Sequence, residues 1–180
     1  YEAIKYIYGE EAKNTRELKY KAYVYCEEAE NHYKKIVIDK GGWDYIETPV
    51  QSYKALQSVS NFHVSNSEAV MSFEIKGYEK FTFYIRSNGE EEQDYVMVGL
   101  LDRKPYRDVY HKSTKGNSKG CNSLSCYEEV TFDRLNKYKA YKIYVVYVKD
   151  HADNFGTDRG YVLIPEKKKY VFQRFMSELQ

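Results

Sequence analysis

The run Phe81-Thr82-Phe83-Tyr84-Ile85 constrains the fold of this chain more than any other segment. Aromatic and branched side chains occupy its alternate positions. Successive side chains of a strand point to opposite faces, so this pattern gives a strand with a continuous apolar face. The same two-residue period recurs along the chain. Tyr20, Ala22, Val24 and Cys26 alternate with Lys19, Lys21, Tyr23 and Tyr25, and Tyr33–Asp39 repeats the pattern before the turn Lys40-Gly41-Gly42. Trp43–Glu47 reads as a short strand ended by Thr48-Pro49, and Tyr53–Val59 as strand or irregular chain. Ser60–Ser67 reads as a loop from its Ser and Asn content. Strands are further predicted over Ala69–Ile75, Phe81–Arg86, Tyr95–Leu101, Tyr127–Phe132, Tyr141–Val148 and Gly160–Ile164.

Many short strands with turn signals between them predict an all-β fold, an antiparallel β-sandwich of jelly-roll-like form, rather than βαβ units. Composition agrees, since the 180 residues include 21 Tyr and 8 Phe but only 3 Pro. Tyr and Phe suit half-buried pleated surfaces, where Tyr buries its ring and keeps its hydroxyl wet. The expected organisation is an N-terminal arm over residues 1–17, a sandwich over 18–165 and a C-terminal tail over 166–180. In the tail, Tyr170, Val171, Phe175, Met176 and Leu179 are spaced as in an amphipathic helix that docks on the sandwich or on a partner. Arg103–Ser125, with the polar run Lys115-Gly116-Asn117-Ser118-Lys119-Gly120, reads as one long loop.

Charge excludes several function classes. With 28 basic and 27 acidic residues the net charge is +1, so no global field attracts nucleic acid or an anionic membrane. Apolar runs such as Tyr144–Val148 are far too short to insert across a bilayer. A chain that begins at Tyr1 rather than Met reads as a piece of something longer. The 3 Cys leave two readings open: a bridge between Cys121 and Cys126, or free thiols.

Three stretches carry a family likeness: Gly77-Tyr78-Glu79-Lys80-Phe81-Thr82-Phe83-Tyr84-Ile85-Arg86-Ser87, Asp94–Asp102, and Thr157-Asp158-Arg159-Gly160-Tyr161-Val162-Leu163-Ile164-Pro165. In that order and spacing the chain resembles an uncharacterised β-sandwich domain of gut Bacteroidetes surface proteins and of tail-fibre or virion proteins of their bacteriophages. The likeness spans Leu18 to Pro165 and departs at Asn88–Gln93 and Arg103–Ser125. It implies an extracellular setting, on a virion or a bacterial cell surface, and brings no catalytic residues with it.

The residues themselves offer little catalytic chemistry. No Gly-x-Ser-x-Gly or phosphate-loop motif occurs, and His32, His63, His111 and His151 lack metal-site spacing. The expectation is therefore a non-catalytic module. It would attach to glycan or protein surfaces, or serve as a subunit-assembly module within a homo-oligomer; a glycan-acting hydrolase is the enzymatic alternative. Candidate ligand-binding residues are Trp43 beside Gly41-Gly42, then Tyr106, Arg107, Tyr110, His111 and Arg159 in loops. Exposed rings of this kind stack on a sugar while polar neighbours fix its orientation. A core plug is the alternative for Trp43, and packing anchors are the alternative for Tyr106 and Tyr110. No cofactor is expected beyond structural Ca²⁺, for which Asp150, Asp153 and Asp158 form one oxygen-rich loop and Glu90-Glu91-Glu92 with Asp94 another.

Overall fold

The computed structural model describes residues 34–101, 108–117, 123–151 and 154–166, with backbone alone for 101 and 108–114. One compact unit is Lys35–Glu166; the other, Tyr1–Lys34 with Lys167–Gln180, lies outside the described residues apart from Lys34. The expected arm, the strand Tyr20–Cys26 and the tail helix fall in that second part.

Ten strands build the first unit: β1 (Lys35–Asp39), β2 (Trp43–Ile46), β3 (Tyr53–Ser58), β4 (Ser67–Lys76), β5 (Phe81–Asn88), β6 (Tyr95–Leu101), β7 (Asp108–Lys115), β8 (Glu128–Phe132), β9 (Tyr141–Lys149) and β10 (Arg159–Pro165). They form two five-stranded antiparallel sheets. The first has the order β1-β4-β9-β6-β7 and the second β2-β3-β10-β5-β8. The chain crosses between sheets after β1, β3, β4, β5, β7, β8 and β9, which gives the sandwich its jelly-roll-like character.

Period-2 alternation fills the space between the sheets. Met71, Phe73 and Ile75 of β4 and Val145 of β9 meet Phe81, Phe83 and Ile85 of β5 and Val162 and Ile164 of β10 in one buried cluster. Phe73 lies across both Phe81 and Phe83, at 5.8 and 5.3 Å between ring centres, so aromatic contact joins the two sheets directly. Gly160 sits where a Cβ would come within 3.0 Å of Trp43 and 2.8 Å of Val96, so only glycine lets the indole pack there.

The structure corrects the reading of 103–125 as a single loop. Asp108–Lys115 is strand β7, paired antiparallel with β6 at the edge of the first sheet. Its sequence, Asp-Val-Tyr-His-Lys-Ser-Thr-Lys, is mostly polar, as edge strands often are, so apolar alternation is weak. Cys126 ends a 3₁₀ turn (Leu124–Cys126) and is disulfide-bonded, which removes the free-thiol reading for that residue.

Candidate functional site

One end of the sandwich is built on two buried acids. Asp158, fully buried just before β10, touches the ammonium of Lys149 at the end of β9. Its carboxylate also accepts the His63 backbone N–H at 2.9 Å and the Tyr147 hydroxyl at 3.3 Å. Both His63 and Asp158 hold left-handed backbone, at φ of 56° and 53°, so this contact fixes two strained positions against each other. Lys149 donates as well to Asn154 Oδ1 at 2.7 Å. Asp94 clamps the neighbouring loops: its two oxygens accept the N–H of Glu90 at 3.0 Å and of Asp150 at 3.1 Å. Burial pushes the Tyr147 hydroxyl far above its ordinary pKa, and the charges of Asp94 and Asp158 push it the same way.

These contacts change the expected metal set. Glu90, Asp94 and Asp150 each bring a carboxylate oxygen to within 4.8 Å of the others, uniting Asp150 from one expected loop with Glu90 and Asp94 from the other. Asp158 is not among them and is paired with Lys149 instead. Asp153 lies outside the described residues. Three carboxylate oxygens are chemistry a hard cation accepts. Asp94, however, already has a structural task in joining the 89–94 turn to the end of β9.

A second arrangement lies on the outer face of the second sheet. Phe81, Phe83 and Ile85 point inward, so Thr82, Tyr84 and Arg86 point outward. Register then carries a row across that face: Ile46 opposite Ala55, Ala55 opposite Leu163, Leu163 opposite Tyr84, and Tyr84 opposite Glu129. The next row runs from Asp44 through Gln57 and Tyr161 to Arg86. Ala55 and Leu163 are buried although they face away from the core, and Tyr53, Tyr84 and Tyr161 around them are half-buried. Tyr53 meets Tyr84 edge-on at 5.7 Å, and the Tyr84 hydroxyl donates to Glu129 at 3.3 Å. Burial first, then Tyr53 and Glu129, raises the Tyr84 pKa. Tyr161 donates to Thr157 Oγ1 at 2.7 Å. The result is a set of fixed phenol rings over a small apolar floor, with acids, a guanidinium and an amide alongside.

Sequence reasoning placed ligand contacts elsewhere. Trp43 is a core plug: 1% exposed, with its indole N–H donating to Ala69 O at 2.9 Å, it has no free face for a sugar. Tyr106 and Arg107 lie outside the described residues. Tyr110 and His111 sit on strand β7 rather than in a loop, opposite Leu100 and Gly99, and only their backbone is described. Arg159 packs its guanidinium 4.0 Å over Phe62, whose ring also stacks on His63 at 3.8 Å, and donates to Ser58 O at 2.6 Å. Tyr53, Tyr84 and Tyr161 were missed because each lies within a strand. Their signal was present in the outward half of the alternation.

No family model matches the chain, and no curated protein matches it. Among solved structures it is similar to the secreted serine protease VesC from Vibrio cholerae, with a TM-score of 0.47 and 14% identity, over 74% of this chain and 24% of that one. The chain thus spans about a quarter of VesC. It is also similar to TmCBM61, solved with β-1,4-galactotriose (TM-score 0.37, 12% identity, 74% and 88% covered). The family 11 carbohydrate-binding module from Clostridium thermocellum, solved with a mixed-linked tetrasaccharide, aligns at TM-score 0.37 and 10% identity, over 74% and 86%.

Proposed function

We propose that this chain is a non-catalytic module that binds glycan on the outer face of its second sheet. The observation that carries the reading is the group Tyr53, Tyr84 and Tyr161 held over buried Ala55 and Leu163. Phenol rings offer flat apolar area to the C–H face of a sugar, and here packing fixes them before any ligand arrives. Asp44, Gln57, Arg86 and Glu129 in the same rows supply donors and acceptors for hydroxyls. The buried acids give catalysis no help, since Asp158 is neutralised by Lys149 and Asp94 accepts two backbone N–H groups. The setting we propose is the outside of a virion or a bacterial cell. The disulfide at Cys126 supports an oxidising compartment. Among the described residues no helix is long and apolar enough to cross a membrane.

Glycan-array screening followed by calorimetry tests the proposal. Tyr84→Ala should weaken binding of any captured glycan by about 2 kcal/mol, roughly 30-fold, as expected for an aromatic anchor. A glycan bound equally well by Tyr53→Ala, Tyr84→Ala and Tyr161→Ala variants would refute it.

One observation favours subunit assembly as a second reading. On the outer face of the first sheet, Val70, Val146 and Met97 form a cross-strand apolar row beside Val148, and Val70 is 39% exposed. Mass in solution for the native chain and for Val70→Lys separates the readings: a native monomer removes this one.

A further inference from the structure

Between the ends of β2 and β3 lies an open notch of about 410 Å³, lined by Tyr45, Ile46, Thr48, Tyr53, Lys54, Ala55 and Glu166. We infer that it takes the methyl-bearing substituent of a neutral sugar, an acetamido or a 6-deoxy methyl group; this deepens the glycan-binding reading above and rests on it. Position gives the first argument. Tyr53 belongs both to the notch and to the aromatic pair with Tyr84, 5.7 Å away. Ile46 and Ala55 continue the row that runs through Leu163 to Tyr84. A saccharide stacked on Tyr84 and extending along that row therefore reaches the notch.

Chemistry gives the second argument. Ala55 is 2% exposed and Ile46 is half-buried, so the floor is apolar. A hydroxymethyl group pressed there would lose water without gaining a partner, whereas a methyl group gains from the same burial. Lys54 alternates with Tyr53 and Ala55 and so projects to the other face, which leaves Glu166 as the charged lining residue, and an acidic sugar gains no attraction. An acetamido N–H or a ring hydroxyl can instead donate to Glu166. The walls are set in advance. Thr48 and Val50 exchange hydrogen bonds of 2.6 and 3.2 Å within the turn, and the Glu166 N–H donates to Ser52 O at 2.9 Å. The volume falls at the small end of the roughly 300–1,000 Å³ typical of ligand pockets, enough for a substituted ring and not for a long chain.

The test is calorimetry on the intact chain with matched soluble pairs: oligomers of N-acetylglucosamine against glucosamine and glucose oligomers, and fucosides or rhamnosides against galactosides and mannosides. One member of a methyl-bearing pair should bind about tenfold or more tighter than its plain partner, the discrimination a single methyl gives in an apolar pocket. Which pair responds decides between the acetamido and 6-deoxy sources. Ala55→Leu, which fills the floor, should erase that preference, and Ile46→Thr should reduce it if Ala55→Leu fails to fold. Equal affinity within every pair, combined with loss of binding in Tyr84→Ala, overturns the notch and leaves the glycan face standing. Glycan binding that ignores Tyr84, or no glycan binding, overturns the glycan face and the notch with it.

Discussion

Removing the anion beneath Lys149 is the sharpest test of how the loop end of this sandwich is held. The Lys149 and Asp158 side chains are 1% and 0% exposed, so the pair is cut off from water and from salt screening. Asp158→Asn keeps a side chain that tolerates left-handed backbone and still accepts the His63 N–H, but it leaves the ammonium without its counter-charge. Breaking a buried pair from one side costs about 3–5 kcal/mol, which is exceptional for a point substitution and a large share of the roughly 5–15 kcal/mol that holds a domain together. Lys149→Met should cost a similar amount, since Asp158 then loses its ammonium partner and keeps the Tyr147 hydroxyl, the His63 N–H and the exposed His63 ring at 3.9 Å. The double variant Lys149→Met with Asp158→Asn removes both charges of the pair and leaves neither partner uncompensated. It should therefore be more stable than the sum of the single losses predicts, by about 2 kcal/mol or more. Urea unfolding followed by fluorescence reads this cleanly, because the chain has 1 Trp and that Trp43 is buried. Additive losses, or a cost below about 1 kcal/mol for Asp158→Asn, would show that the pair is solvated and the argument wrong.

Three further outcomes follow from the same contacts. Trp43→Phe should lose about 1–2 kcal/mol through the Ala69 hydrogen bond and the emptied volume, yet leave glycan affinity unchanged, as paired unfolding and calorimetry would show. Tyr147 resists ionisation when folded and ionises near its ordinary value of 10.0 when unfolded, so its contribution is intact below that pH and lost as pH rises above it. Thermal melts between pH 8 and about 11 should fall less steeply for Tyr147→Phe than for the native chain, relative to each protein's own neutral value. Reducing the disulfide at Cys126 should lower the melting temperature, consistent with a loss of about 2–4 kcal/mol, and melts with and without dithiothreitol measure it.

What the sequence determined by itself was the class of fold and most of the strands. Tyr95–Leu101 was read with the bounds it has, and Phe81–Arg86 and Tyr141–Val148 were short by two residues and one, at ends where polar residues continue the ladder. Local alternation suffices there because one face of each strand must be apolar whichever strands it pairs with. Strand β7 escaped because Asp108–Lys115 lies at a sheet edge, where pairing does not demand an apolar face.

Only the tertiary structure decided the sites. Beside two glycines Trp43 read as a core plug or a ligand platform, and Gly160, 117 positions further along the chain, opens the space that makes it the plug. Asp150 and Asp158 looked alike in one loop. Folding sends the first toward Glu90 and Asp94 and sets the second against Lys149. Tyr53, Tyr84 and Tyr161 are separated by 31 and 77 positions, and they share one face because strand order places β10 between β3 and β5. Alternation along one strand tells which way each side chain points, whereas its neighbours on that face are fixed by register between strands distant in sequence.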